Sequence, residues 1–270
     1  MSLPILQKIT IHPIKALSGQ TLQEAFISEG GCLLHDREFA MFDVHGKYVN
    51  GKANPLVHRL HSSVDFERKM MSFKAPTESS WNEFDFENDL PKVESYLSDY
   101  FREPIKLVRD KTGRFLDVPD NGGVTVVSAE SLRSAATWFP PLSVDETRRR
   151  FRVTLEFDGV SAFWEDQLFS GKGHCVEFKV GDVSVYGMSP CARCVVPSRN
   201  PDTAEVLPAF QKAFSEKRKA TQPLGSKLKD YGHHYHFSVN CLIPPSEVGK
   251  KIKVGDELFI LGEKLIPGEI

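Results

Sequence analysis

Val183-Ser-Val-Tyr-Gly-Met-Ser-Pro-Cys-Ala-Arg-Cys-Val-Val196 is the stretch on which the rest of the chain turns. Apolar and polar residues alternate from Val183, as in a half-buried strand, until Gly187 and Pro190 break the pattern. Cys191 and Cys194 follow, three apart, with Arg193 between them. A guanidinium beside a thiol favours the thiolate, so lowered thiol pKa values are expected here, and a thiolate is either a nucleophile or a soft-metal ligand. Four readings stay open. The pair is an inert strand end, a redox dithiol, half of a structural zinc site, or one thiolate on a transition metal whose cofactor other residues hold. A redox dithiol should open a helix, and Val195-Val196-Pro197 is a poor helix start. Zinc needs two more ligands.

The chain has 270 residues, enough for one large domain or two smaller ones. A formal net charge of −2 gives no global attraction to nucleic acid or to an anionic membrane. No apolar run approaches the ~18 residues of a membrane span, and the N-terminus lacks the basic and apolar regions of a signal peptide. Five cysteines in a chain this long do not read as a disulfide framework, so a cytoplasmic location with reduced thiols is expected. Short apolar runs with 19 Phe and 17 Pro favour many strands over a helical bundle.

Working toward the N-terminus, strands are expected at 6–14, 22–27 and 37–44, with His45-Gly46 as a hairpin turn. Lys15 ends the first strand and Arg37 begins the third. Each reads singly as a surface ion pair, but together they put two cations at one hairpin region. A hairpin is expected over 56–73 and a strand over 81–86. Residues 90–101 change to helical periodicity, with Pro91 in the first turn. Polar residues 110–123, including Lys111-Thr-Gly-Arg and Asn121-Gly-Gly, separate two halves, so domains are expected at 1–112 and 113–265. Val124–Val127 is a strand leading to a helix with Ser128 at its N-cap, where free N–H groups attract anions. Arg148, Arg149, Arg150 and Arg152 form a basic burst. Alternation over 151–155 puts Arg152 and Thr154 on one side of a strand. Residues 178–187 and 252–262 echo one another, each with a Gly-Asp turn entering a strand, as sheet-closing elements of a barrel would. Residues 204–219 read as a basic helix and 221–231 as a loop. His233-His-Tyr-His236 enters a strand and is a possible source of zinc ligands. Cys175 and Cys241 read as core residues.

Several of these motifs match a known pattern in order along nearly the whole chain. His12-Pro-Ile-Lys15 looks like Tyr-Pro-Val-Lys, and His35-Asp-Arg37 looks like Arg-Asp-Arg. Val127-Ser-Ala-Glu-Ser-Leu132 looks like a strand–helix signature, and Phe151-Arg152 looks like the start of Phe-Arg-Pro-Asn. Cys191-Ala-Arg-Cys194 with Asn200-Pro-Asp-Thr203 looks like Cys-x-Arg-Cys with Asp-Pro-Asp-Thr. The chain resembles proteins that join an N-terminal β-barrel-like domain to a molybdenum-cofactor-sulfurase C-terminal (MOSC) domain. The mitochondrial amidoxime-reducing component and its bacterial relatives are of this kind. It departs from the pattern at Ala16, His35, Thr154 and Ala192.

The resemblance implies a mainly β (α+β) fold, with an N-terminal β-barrel-like domain and a MOSC β-barrel with peripheral helices. It implies a molybdenum cofactor (molybdopterin) ligated by Cys194, with Lys15, Arg37, Ser128, Arg152 and Arg193 as cofactor-binding residues. Pyridoxal phosphate binding is a further family-level association. The expected activity is reduction of N-hydroxylated small molecules. The sequence holds no Rossmann loop and no iron–sulfur cysteine set. Electrons are therefore expected from a separate ferredoxin-like protein or flavoprotein, since no fused ferredoxin domain precedes Ile270. The alternatives are a cofactor or sulfur carrier with a persulfide on Cys194, or a binding module without cofactor.

Overall fold

A computed structural model describes residues 3–113, 115–118 and 123–266. Arg114, Asn121 and Gly122, parts of the expected linker, lie outside the described residues. The elements run β1 (Ile5–Ile11), β2 (Gln20–Leu22), β3 (Glu24–Phe26), β4 (Phe39–Phe42), α1 (Leu56–Arg59), β5 (His61–Asp65), β6 (Met70–Lys74), β7 (Asn82–Asp85), α2 (Leu90–Phe101) and β8 (Lys106–Arg109). They continue with β9 (Val124–Ser128), α3 (Ala129–Thr137), α4 (Val144–Phe151), β10 (Leu155–Asp158), β11 (His174–Val180), β12 (Val183–Ala192), α5 (Phe210–Ala220), β13 (His236–Leu242), β14 (Lys251–Lys253) and β15 (Leu258–Leu265). The fold is mainly β, α+β, as the sequence leads one to expect.

One eight-stranded mixed sheet dominates, in the order β15-β11-β12-β13-β9-β10-β1-β2. It does not close into a barrel among the described residues. Its ends approach at a single bridge, Ile5 to Glu257, with Leu6 N–H donating to the Asp256 carbonyl at 2.8 Å. The two Gly-Asp echoes lie there: Gly181 N–H donates to the Glu257 carbonyl, and Gly181 and Gly255 both hold positive φ. The expected barrels are replaced by this open, curled sheet and three small ones, β14-β3, β4-β8 and β5-β6-β7.

Two cores follow from this pairing. Leu6, Ile9 and Ile11 of β1 pack with Val126, Leu155, Phe157 and Val185 under the large sheet. Phe39, Met41, Phe73, Val93, Leu97 and Leu107 fill a second core within the N-terminal half. The large sheet thus takes β1 and β2 from the segment before residue 113, and β3 pairs with β14. In α2 the apolar spacing is direct: Val93, Leu97 and Phe101 recur every four residues and are buried. A third cluster, with Phe151, Phe210, Phe214 and Phe237, seats α3, α4 and α5 against the sheet.

Some elements differ from expectation for local reasons. The first strand stops at Ile11, because Pro13 has no N–H to donate. Residues 20–26 divide into two strands that pair with different partners, β1 and β14. Residues 56–59 are a helical turn before the hairpin. Residues 144–151 form a helix capped by Ser143, which accepts from Glu146 N–H at 3.0 Å, so Arg152 ends a helix instead of sitting in a strand. The basic helix begins only at Phe210. Among the described residues no helix is long and apolar enough to cross a membrane.

Beneath α3 lies a buried carboxyl. Glu165 is 1% exposed, and its Oε2 accepts from Ser131 Oγ at 2.9 Å while Oε1 has no partner. Burial pushes its pKa up to about 7. The folded protein then binds more protons than the unfolded chain between about pH 4.5 and 7, so stability must fall as pH rises through that window. Glu165→Gln should abolish this slope and leave the protein about 2–3 kcal/mol more stable than wild type at pH 8. Urea melts at pH 5 and pH 8 check it: an unchanged pH slope in the variant would refute the assignment.

Candidate functional site

One row of paired residues crosses five strands of the large sheet: Pro190, Val239, Val126, Leu155 and Ile9. Continuing the antiparallel register of Ile9 with Leu155 sets His12 opposite Arg152, and Thr10 N–H donating to the Thr154 carbonyl at 2.8 Å holds that register. The chain after His12 leads to Lys15, and Arg37 N–H donates to the His12 carbonyl at 2.9 Å. Cations from distant parts of the chain therefore converge. A cleft of about 1050 Å³ is lined by Lys15, Arg37, Arg152, Arg193, Cys191 and Cys194, among others. That volume suits a large organic ligand.

The cations differ in how they are neutralised. Arg148 pairs with Glu156 and Asp145, Arg149 with Asp202, and Arg150 with Glu146. The Arg152 side chain makes no hydrogen bond or ion pair among the described residues. Burial and the neighbouring Arg37 lower its pKa to about 10. Asp117 and Asp36 act the other way without overcoming these effects. Arg37 is paired with buried Asp36, which also accepts from His12 N–H at 2.7 Å. Burial acts against the charge on Arg37, but Asp36 and Asp117 hold its pKa above the usual value. Lys15 donates to the Phe115 carbonyl at 2.7 Å and to Asp117 Oδ1 at 2.8 Å, with its Nζ 4.8 Å from the Tyr48 ring centre. Burial lowers the Lys15 pKa in spite of Asp117. Burial also disfavours charge on Asp117, yet Lys15 and Arg37 hold it at about 2.

Backbone conformation sets these side chains. Ala16, Arg37 and Arg152 all hold positive φ, at 74°, 53° and 53°. The left-handed region costs a residue with a Cβ roughly 1–2 kcal/mol, and helix ends usually place glycine there. Arg152 occupies that position at the end of α4, where its N–H donates to the Arg148 carbonyl. Lys69 and Arg102 show that the chain uses such turns elsewhere. The cleft is distinguished by having two of them carry its cations.

The thiol segment is held from two sides. Register shifts at Gly187/Ser189 and Pro190/Ala192 bend β12 away from β13 just before the thiols. Gly187 is required, since a Cβ there would lie 1.6 Å from the Leu168 carbonyl oxygen. Arg193 N–H donates to the Tyr235 carbonyl at 3.0 Å, and Tyr235 Oη donates to the Cys194 carbonyl at 3.1 Å. The Arg193 guanidinium donates to the Phe151 carbonyl at the end of α4 and lies 3.0 Å from Cys191 Sγ. Arg193 thus lines the cleft while holding α4 and Cys191. Cys194 Sγ makes no hydrogen bond among the described residues.

Ser128 is not in the cleft. It is fully buried, accepts from Ser131 N–H at 3.0 Å and donates to the Ser161 carbonyl at 3.1 Å, so it is a helix cap and nothing more. His233 and His236 stack with ring centres 4.2 Å apart, and His236 pairs across the sheet with Ala192. No group of three or more His, Cys, Asp or Glu placed to hold a metal occurs among the described residues, so the zinc reading has no ligand set. Sequence reasoning missed His12, Asp117 and His236 as cleft residues. His12 stood inside a recognised motif, whereas Asp117 carried no signal in its polar linker.

Residues 3–100 match the family described as the MOSC N-terminal beta barrel domain. The YUAD protein from Bacillus subtilis aligns over 97% of this chain and 95% of its own, at 12% identity and a TM-score of 0.38. A second structure, of a hypothetical protein, aligns over 55% of each chain at 13% identity and a TM-score of 0.30. A search of curated proteins returns no match.

Two variants separate fold from binding. Arg152→Gly relieves a positive-φ side chain, so its stability should stay within about 1 kcal/mol of wild type, while sulfate affinity falls about tenfold or more. Asp117→Asn removes the carboxylate that competes for Lys15 and should strengthen sulfate binding severalfold. Calorimetric titration with thermal melts measures both, and unchanged affinity in both variants would contradict the electrostatic reading.

Proposed function

We propose, from the match of residues 3–100 to the MOSC N-terminal beta barrel domain, that this chain is a MOSC-domain protein and a molybdenum-cofactor oxidoreductase acting on N-hydroxylated small molecules. One observation carries the reading: a half-buried thiol pair and an under-neutralised cation cluster share one cleft. A pterin cofactor presents a phosphate and a metal that prefers soft ligands, and the cleft offers guanidinium and ammonium groups for the first and thiols for the second. The donor set therefore fits the group.

Arg152, Arg37 and Lys15 would hold the phosphate, with Arg152 gaining the counter-ion it lacks. Cys194 would ligate the metal, as the resemblance implies, and the Arg193 guanidinium on Cys191 Sγ supports that choice. When bound, the cofactor supplies two-electron exchange at molybdenum. Arg193 fixes the thiol segment through the Phe151 carbonyl, and Tyr235 fixes the carbonyl of Cys194. Reduction of a hydroxylamine to an amine consumes two electrons and two protons and releases water. A separate electron-transfer protein would supply the electrons.

Purified protein should contain molybdenum near one per chain by elemental analysis and should reduce a hydroxylamine with an artificial reductant. Cys194→Ser should lose metal and activity, because a serine hydroxyl is neither soft nor ionised at pH 7. Cys191→Ser should keep most of both. Equal loss in the two variants would point to a shared dithiol, and cyanide-releasable sulfur without molybdenum would favour the sulfur-carrier alternative.

A further inference from the structure

His12 is 3% exposed, lines the cleft, and has a buried Nδ1 with no hydrogen-bond partner. The groups around it are almost all cationic. Arg152, at the end of α4, lines the same cleft and acts on its charge, and Arg37 follows the carboxylate that accepts its N–H. Lys15 lies three residues on, already held by Asp117. The carboxylates Asp36 and Asp117 bind Arg37 and Lys15 respectively, so neither pairs with the ring. On its remaining side stands Gly19, where a Cβ would come within 2.9 Å of Nε2. The ring is therefore packed in place beside cations, with both nearby carboxylates already engaged elsewhere.

We propose that His12 is a proton-coupled ligand of the anion site: it stays neutral in the empty cleft and takes up one solvent proton when a phosphate- or sulfate-like dianion binds. The physical reason is a reversal of sign. Burial, then Arg152 and Arg37, hold its pKa well below the usual value in the free protein. A dianion beside those guanidiniums cancels their field and favours imidazolium. The unpartnered Nδ1 then becomes a donor, which removes a buried unsatisfied group. Binding consumes a proton, so affinity must rise as pH falls. This inference rests on the cleft being an anion site. It adds that the site weakens on alkalinisation through a residue that neither thiol nor metal touches.

Sulfate is the probe, because it keeps two charges from pH 5 to 8 and cannot itself titrate. Calorimetric titrations of sodium sulfate into the full chain, at constant ionic strength in buffers of different ionisation enthalpy, report affinity and protons taken up together. Wild type should take up close to one proton near pH 6 and bind about tenfold more tightly there than at pH 8. His12→Gln should keep its pH 8 affinity within about threefold and lose both the proton uptake and the pH dependence. His58 and His236 also line the cleft and their pKa values are also lowered, chiefly by burial, so His58→Gln and His236→Gln are the controls and should retain proton uptake. Should the His12 variant fold poorly, the wild-type proton count still decides, because zero uptake overturns the proposal. Uptake that survives in His12→Gln but vanishes in His58→Gln or His236→Gln would also overturn it. Tight sulfate binding that ignores pH would defeat the role of His12 and leave the anion site standing. No sulfate binding at any pH would defeat both.

Discussion

Ile9 lies opposite Leu155, and that pairing carries β1, with β2 on its far edge, into a sheet whose other six strands come from the second half of the chain. Everything at the cleft follows from it. His12, Lys15 and the loop bearing Arg37 leave β1 on the side where Arg152 enters β10. Apolar burial of Leu6, Ile9 and Ile11 supplies the driving force, since these side chains are fully or nearly fully removed from water. The cationic residues are brought together by a core that contains none of them.

Such an arrangement works against folding. Like charges in a partly dehydrated cleft repel, and burial first, then Arg37, lower the pKa of Arg152. The protein offsets part of it internally, with Asp36 on Arg37 and Asp117 on Lys15. The left-handed backbone at Arg37 and Arg152 adds local strain where glycine would relieve it. Both residues carry that backbone strain, but only Arg152 is without a paired carboxylate among the described residues.

The thiols reach this cleft by a different route. Register shifts around Pro190 make the pairing of β12 with β13 irregular up to Ala192, and Arg193 then ties the segment that follows to the end of α4. A bond from Arg193 to the Phe151 carbonyl also satisfies a helix C-terminus and neighbours Arg152 in sequence. Arg152 and the thiol segment are therefore joined through one peptide, Phe151-Arg152, at the end of a single helix.

Much of this was legible in residues alone. The 3.6-residue period and Pro91 placed α2 at Leu90–Phe101, the cap at Ser128 preceded α3, and Cys175 and Cys241 are core residues. Local spacing determines such features because helix periodicity, capping and burial act over a few residues. The motif residues Lys15, Arg37, Arg152, Arg193 and Cys194 were named from the sequence and share one cleft. The tertiary structure alone decided the rest. Phe151-Arg-Val alternates like a strand, yet Ser143 and the packing of Phe151 against Phe214 and Phe237 keep it at a helix end. Ser128 carried the signature of an anion-binding helix terminus, but burial against Ser131 and Ser161 closed it to any ligand. Which arginine would lack a partner, and which thiol Arg193 would hold, depended on long-range contacts. Charge balance is settled by neighbours in space, and no local pattern in the chain records them.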